Sequence, residues 1–125
     1  MKFPFNQSLS PPMPVLDVTL QNDLAGLSVG PMEALIDTGA DGTVVPVTYL
    51  REIRAPVVGR ARLHYHLGVH DVVLHIADVQ IGDLVLPGLI IVADREGQEL
   101  ILGRDVLNRF RLLIDGPDQV TQVQG

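Results

Sequence analysis

The chain has 125 residues and a net charge of −6, with 46% apolar but only 4% aromatic residues. This length predicts one domain that can bury a core without disulfides, and the absence of cysteine excludes thiol chemistry. The acidic charge argues against partners such as nucleic acid or an anionic membrane. Because no apolar run approaches the ~20 residues of a membrane span and no secretory signal is visible at the start, we expect a cytoplasmic protein.

In chain order, a short arm precedes a series of predicted strands. Residues 1–12 end in Ser10-Pro11-Pro12 and are predicted to form a flexible N-terminal arm, followed by a single domain over residues 13–125. The stretches rich in Val, Ile and Leu favour strands. These stretches are Val15–Gln21, Leu24–Ile36, Val57–Leu67, Val69–Ile81, Leu84–Val92, Glu99–Gly103, Arg111–Asp115 and Gln119–Val123. One short C-terminal helix is predicted over Arg104–Phe110, and a helical turn over Val47–Arg54.

The most informative segment is the acidic turn Asp37-Thr38-Gly39, which occurs once. It follows the aliphatic Leu35-Ile36 and is itself followed by Ala40-Asp41 and, after a short gap, by Val44-Val45. Alone, such a triplet marks an ordinary turn, since Asp accepts hydrogen bonds from its own backbone and Gly tolerates positive φ. Further along the chain, however, Leu100–Gly103 forms a second apolar segment that ends in glycine and leads into the predicted helix at Arg104.

Together, these two segments resemble the motifs of the retropepsins, the single-domain aspartic proteases of retroviruses and their cellular and bacterial relatives. The resemblance covers roughly Val15–Asp115. It implies an all-β, retropepsin-like closed β-barrel (the acid protease fold) that forms a symmetric dimer. Aspartic-protease chemistry needs two facing carboxylates, and this chain supplies one Asp-Thr-Gly turn. The resemblance therefore implies an active site on the two-fold axis, with Asp37 contributed by each subunit.

The resemblance also implies a role for each residue of the turn. Asp37 is the expected catalytic aspartate, and the Thr38 hydroxyl is expected to lock the two loops together across the dimer axis. Gly39 would allow a substrate or its water to approach the backbone. Ala40 and Asp41 are expected to bind substrate by lining the subsites, with Asp41 bonding the backbone of a bound peptide.

A bracing residue and a flap are implied as well. Arg104 is expected to pair with Asp41 as a structural brace, a function that a guanidinium–carboxylate pair suits; a solvent-facing Arg104 is the alternative. A β-hairpin flap is expected within Ala55–His70, with its tip between Val58 and Gly68. The flap residues expected to contact substrate are Val58, Gly59, Arg60 and Ala61. Viral flap tips are glycine-rich, whereas this segment is bulkier and more basic.

Four histidines, His64, His66, His70 and His75, fall close together in the sequence. His64 and His66 would share one strand face, which is a workable spacing for metal ligands. The interpretation that we favour is an exposed polar hairpin with no metal and no cofactor. A protonation switch of the flap near pH 6 is a further alternative.

The function predicted from the sequence is a homodimeric aspartic endopeptidase that hydrolyses peptide bonds through a water activated by the paired Asp37 residues. Two carboxyls a few Å apart share a proton, which predicts activity at acidic to mildly acidic pH. The expected partners are a second copy, paired through Arg111–Asp115 and Gln119–Val123, and an extended peptide with apolar side chains. The alternatives are a dimerisation or peptide-binding module with little catalysis, and a barrel that binds a ligand or metal through the histidines.

Overall fold

Strands dominate the computed structural model, which describes residues 1–65 and 68–125. The strands are β1 (Lys2–Pro4), β2 (Val15–Asn22), β3 (Leu27–Ile36), β4 (Val44–Pro46), β5 (Val57–Tyr65), β6 (Gly68–Ile81), β7 (Leu84–Asp94), β8 (Leu100–Leu102), β9 (Arg111–Asp115) and β10 (Val120–Gln124). Two short helices are α1 (Val47–Glu52) and α2 (Arg104–Leu107), and Asp23–Ala25 forms a 3-10 turn. Helix α2 begins at the predicted residue but ends three residues early, because the chain turns there into β9.

Six strands close into a barrel in the order β2-β3-β8-β4-β7-β6, with β6 pairing back onto β2. The closing pairs are Thr19 with Gln80, Leu20 with Val79 and Gln21 with Asp78. Two of the pairings, β3 with β8 and β4 with β7, are parallel, and the other barrel pairings are antiparallel. The predicted all-β closed barrel is therefore confirmed, and closure removes the free strand edges of these six strands.

The barrel encloses an aliphatic core. Strand β6 shows how the sequence produces it, because every second residue from His75 to Ile81 is buried while the residues between them are only partly buried. Leu16, Leu20, Ile91 and Leu102 are fully buried with them. Helix α1 adds Leu50 to this core. A core built from Leu, Ile and Val accounts for the high apolar and low aromatic content of the chain.

A second sheet of three strands, in the order β1-β10-β9, lies outside the barrel. Strand β1 pairs with β10 through Lys2 and Gln122 and the two pairs that follow, and Phe5 is buried. The sequence analysis expected residues 1–12 to be a flexible arm. The start of this segment is instead the strand β1. The physical reason is that β10 offers an open edge and that Phe3 packs on the core.

Strands β5 and β6 form the predicted hairpin, which is paired from Val57–His75 to Tyr65–Gly68. The two residues between Tyr65 and Gly68 lie outside the described part of the chain, and the expectations for His66 and for the flap tip lie there with them. At the root of the hairpin, His75 is buried, and its Nδ1 lies 2.9 Å from the carbonyl oxygen of Ala55. This contact ties β6 to the segment that leads into β5.

Two further features concern the predicted partners. Within residues 1–65 and 68–125, no group of three or more His, Cys, Asp or Glu side chains is arranged to hold a metal ion. Neither helix of this part of the chain is long and apolar enough to cross a membrane.

The fully buried Thr121 of β10 generates a stability prediction. Its Oγ1 makes no hydrogen bond within the described residues, and an unpaired buried hydroxyl costs about 1–3 kcal/mol. We expect Thr121→Val to raise the free energy of unfolding by about 1 kcal/mol, measured by chemical denaturation. The matched control is Thr43→Val, since Thr43 is equally buried but its hydroxyl donates to Asp105. This control should lower the free energy of unfolding, and a loss of stability in Thr121→Val would contradict the prediction.

Candidate active site

The acidic turn stands at the end of β3, next to the end of β8. These strands are parallel, with Leu35 paired to Ile101 and Ile36 to Leu102. Because parallel strands deliver their carboxyl ends to the same edge, the turn that begins at Asp37 lies beside the chain that leaves β8. The backbone N–H of Asp37 donates to the carbonyl oxygen of Leu102 at 3.1 Å. The two apolar segments noted in the sequence are therefore neighbours in space.

The carboxylate of Asp37 is oriented by its own loop. Its Oδ1 accepts a hydrogen bond from the backbone N–H of Gly39 at 2.9 Å, and its carbonyl oxygen accepts one from the N–H of Ala40 at 3.2 Å. A Cβ atom at Gly39 would stand 3.2 Å from the same Oδ1 and press on the carboxylate. Asp37 is otherwise exposed, so the loop orients the side chain while leaving it accessible to solvent.

The back of this loop rests on Gly103, the residue between β8 and α2. A Cβ atom there would lie 2.6 Å from the backbone carbon and oxygen of Gly42 and 3.0 Å from the carbonyl oxygen of Ala40. Since those neighbours are backbone atoms, they cannot swing aside. The N–H of Arg104 also donates to the carbonyl oxygen of Ala40 at 2.9 Å. A glycine is therefore required for the two segments to approach this closely.

Arg104 connects both sides of the acidic loop. One guanidinium nitrogen, Nη1, donates to the carbonyl oxygen of Thr38 at 2.8 Å, and Nη2 pairs with the carboxylate of Asp41. The structure thus brings Arg104 and Asp41 together as the sequence suggested. The Thr38 hydroxyl is exposed and makes no hydrogen bond within residues 1–65 and 68–125, so in one chain it stays available for another partner.

A second, buried link was missed by the sequence analysis. The hydroxyl of Thr43 donates to Asp105 Oδ1 at 2.8 Å, and the N–H of Thr43 donates to Asp105 Oδ2 at 3.2 Å. The N–H of Gly103 donates to the same threonine hydroxyl at 3.2 Å. Asp105 Oδ1 also accepts from the N–H of Val106 in the first turn of α2. Two features of the sequence could have indicated this link: Asp105 lies at the start of the predicted helix, and Thr43 directly precedes the aliphatic pair Val44-Val45.

Asp37 borders a cleft of about 740 Å³ between the hairpin and the end of β7. Ala40 and Arg60 line this cleft, as the sequence suggested. Of the other expected binding residues, Val58, Gly59 and Ala61 lie in β5 and Asp41 lies in the loop, and none of these four lines the cleft. The lining residues that the sequence analysis did not anticipate include Val44, Val72, Val73, Val92, Asp94, Arg95, Glu96 and Ile101.

A smaller apolar hollow of about 240 Å³ also borders Asp37. Met13 and Pro14 line it from the start of the domain, Leu35 and Ile101 from the barrel, and Ile114 from β9. The acidic loop is therefore adjacent to the outer sheet as well as to the hairpin. Of the two aspartates in this loop, Asp41 pairs with Arg104, whereas Asp37 borders both the cleft and the hollow.

Comparison with known proteins agrees with this geometry. Residues 27–109, which include both the acidic turn and the segment ending at Gly103-Arg104, match the protein family described as "gag-polyprotein putative aspartyl protease". The chain belongs to this family. No curated protein matches the sequence of this chain.

Among solved structures, the chain is similar to EIAV protease in complex with the inhibitor HBY-793. The TM-score is 0.56, the sequence identity is 17%, and the match covers 78% of this chain and 86% of that chain. At this identity the likeness concerns the fold alone. It confirms that the barrel of this family member is retropepsin-like.

The buried link between Thr43 and Asp105 generates a prediction. Asp105→Asn replaces one accepting oxygen by a donating NH₂ group, which would then face an N–H or a hydroxyl that already donates. We expect the free energy of unfolding to fall by about 2 kcal/mol, the usual scale for hydrogen bonds to a charged group, as measured by urea denaturation. Asp83→Asn is the control, because Asp83 is exposed and makes no side-chain hydrogen bond within the described residues. Equal stability of the two variants would contradict a structural role for Asp105.

Proposed function

We propose that the protein is a homodimeric aspartic endopeptidase whose active site combines Asp37 from two subunits. The observation that carries this proposal is the placement of an exposed, loop-oriented Asp37 on a cleft of about 740 Å³. The chain belongs to an aspartyl protease family and has one Asp-Thr-Gly turn. A second copy is therefore the source of the second carboxyl group.

The proposed reaction uses the two aspartates in different protonation states. Like charges a few Å apart repel, so the pair holds one proton between its two carboxyl groups. The ionised Asp37 removes a proton from a water molecule as the water oxygen attacks the scissile carbonyl carbon, while the protonated Asp37 donates to the carbonyl oxygen. The tetrahedral intermediate then collapses: the C–N bond breaks as the leaving nitrogen takes the proton that the first Asp37 removed from water. One hydroxyl of the intermediate returns a proton to the other Asp37, which leaves a carboxylic acid product and restores the pair. No cofactor takes part in these steps.

The surface that supports dimer formation is the edge of β9 in the outer sheet. Strands β1 and β9 form the two edges of this sheet, and β9 pairs only with β10 within the described residues. On β9, the neighbouring residues Leu113 and Ile114 are 55% and 46% exposed. Since consecutive strand residues point to opposite faces, apolar side chains are exposed on both faces of this edge. Ile114 also lines the hollow beside Asp37, so pairing here would bring the two acidic loops near each other.

The cleft suits a peptide in extended conformation. Val44, Val73, Val92 and Ile101 give it aliphatic walls, while the backbone groups of an extended chain can pair with strands. The hairpin of β5 and β6 forms one wall of the cleft and is the proposed flap. We infer that the side chains next to the scissile bond are apolar.

The first prediction of this proposal concerns cleavage. The wild-type protein should cleave members of a peptide library between pH 4 and 7, and Asp37→Asn should lose at least about 100-fold in rate because an amide cannot serve as the general base. Inhibition by pepstatin would add support. No cleavage by a protein shown to be dimeric would contradict the proposal and favour a peptide-binding module.

Mixing experiments separate a shared site from a site within one chain. Asp37→Asn is added to a fixed amount of wild type under conditions that allow subunit exchange. With one equivalent of the variant, random pairing converts about half of the wild-type subunits into mixed dimers, so the cleavage rate falls to about half. The control is one equivalent of Asp83→Asn, whose subunits keep Asp37 and should raise the rate. A rate unaffected by added Asp37→Asn would contradict the shared site.

The second prediction concerns the dimer surface. Leu113→Lys places a charge on the open edge of β9, where burial of the unpaired ammonium against a partner is unfavourable. We expect this variant to sediment as a folded monomer at concentrations where the wild type is a dimer. Leu24→Lys is the matched control, since Leu24 is fully exposed in the 3-10 turn. A Leu113→Lys protein that remains dimeric would exclude this edge as the interface.

A further inference from the structure

Arg60 stands out among the charged residues of the cleft. It lies on β5 of the hairpin, opposite Val73 of β6 in the strand register. Both side chains line the cleft that Asp37 borders. Arg60 is exposed, and within residues 1–65 and 68–125 it makes no hydrogen bond and no ion pair. Its guanidinium group therefore has five N–H donors available at the wall of the cleft.

Two of the acidic residues that line the cleft already have partners. Asp71 pairs with Arg62, whose Nε lies 3.4 Å from the aspartate Oδ1. Asp94 Oδ1 accepts hydrogen bonds from the backbone N–H groups of Glu96 and Gly97, which assigns this carboxylate to its own turn. Arg95 and Glu96, which follow β7 and carry opposite charges, also line the cleft.

The surroundings of Arg60 favour a carboxylate partner. Its cross-strand neighbour is Val73, so that pair position offers no acid to the guanidinium. A guanidinium group binds a carboxylate through two parallel N–H···O bonds. A neutral amide has only one accepting oxygen, so it is a weaker partner. The net charge of the chain is −6, so attraction of an acidic group depends on this local cation, not on the protein as a whole.

From this arrangement we propose that Arg60 determines specificity by binding a Glu or Asp side chain of the substrate peptide. The proposal rests on the proposed function, because it names the substrate class for that same cleft. The preferred substrate then combines apolar residues beside the scissile bond with one acidic residue at the position that reaches β5. Arg60 acts as a binding residue and takes no part in the chemical step.

The test compares peptides that differ only by Glu or Gln, placed in turn at each position around a cleavage site found in the library. For wild type, we expect kcat/KM to be about 5- to 10-fold higher for Glu than for Gln at one position, the scale of a partly exposed charge pair. Arg60→Gln should abolish this preference, so that its kcat/KM becomes equal for the Glu and Gln peptides. Arg60→Glu should reverse it in favour of a Lys peptide.

Arg51→Gln is the matched control. Arg51 lies on α1, away from the cleft lining, and its substitution removes the same charge from the protein. This variant should keep the Glu preference. That result would exclude a general effect of the net charge of the protein. Raising the salt concentration should reduce the preference of the wild type, because ions screen exposed pairs.

Binding measurements separate this inference from the proposed function. Fluorescence anisotropy of labelled Glu and Gln peptides is measured with Asp37→Asn and with the double variant Asp37→Asn/Arg60→Gln. A Glu preference that the double variant loses supports the inference even if no peptide is cleaved. Cleavage of Glu and Gln peptides at equal rates at every position overturns it while leaving the protease proposal intact. Equal binding of both peptides, or no binding of either, also overturns it.

Discussion

The close contact between two strand ends is the constraint on which this structure depends. The parallel pairing of β3 with β8 brings the acidic turn against the start of α2, and Gly103 permits a separation that no other residue would allow. The positions of Asp37 and Arg104 both follow from that contact. A β-barrel with only antiparallel hairpins would send successive strand ends to opposite edges, so these two segments would not meet.

Two polar links hold the contact, and they differ in their surroundings. Arg104 lies on the outside, where water screens its pair with the exposed Asp41. Thr43 and Asp105 lie beneath, and the threonine is fully buried. A hydrogen bond contributes more when its loss would leave a buried group unpaired. The stability of the loop therefore depends mainly on the inner link, while the outer link sets the local shape beside Asp37.

Much of this site follows from the sequence, because its motifs are local. The turn of Asp, Thr and Gly, taken together with the apolar segment that ends at Gly103, singled out Asp37. The pairing of β1 with β10 was not predictable, since it joins opposite ends of the chain and depends on an edge that only the folded sheet presents. The link between Thr43 and Asp105 spans 62 positions and uses common residue types. The flap residue that lines the cleft, Arg60, depends on the register of β5, and a shift of one residue would turn every side chain to the other face.

The hydrogen bonds that shape the acidic loop all lie within one chain, from Gly39 to Arg104. The single chain therefore shapes the loop around Asp37 with its own residues. If the active site is shared between two subunits as proposed, the abundance of dimers rises with the square of the subunit concentration when dimers are scarce. Under the same proposal, dilution would keep the chain inactive, and local crowding of its copies would turn proteolysis on.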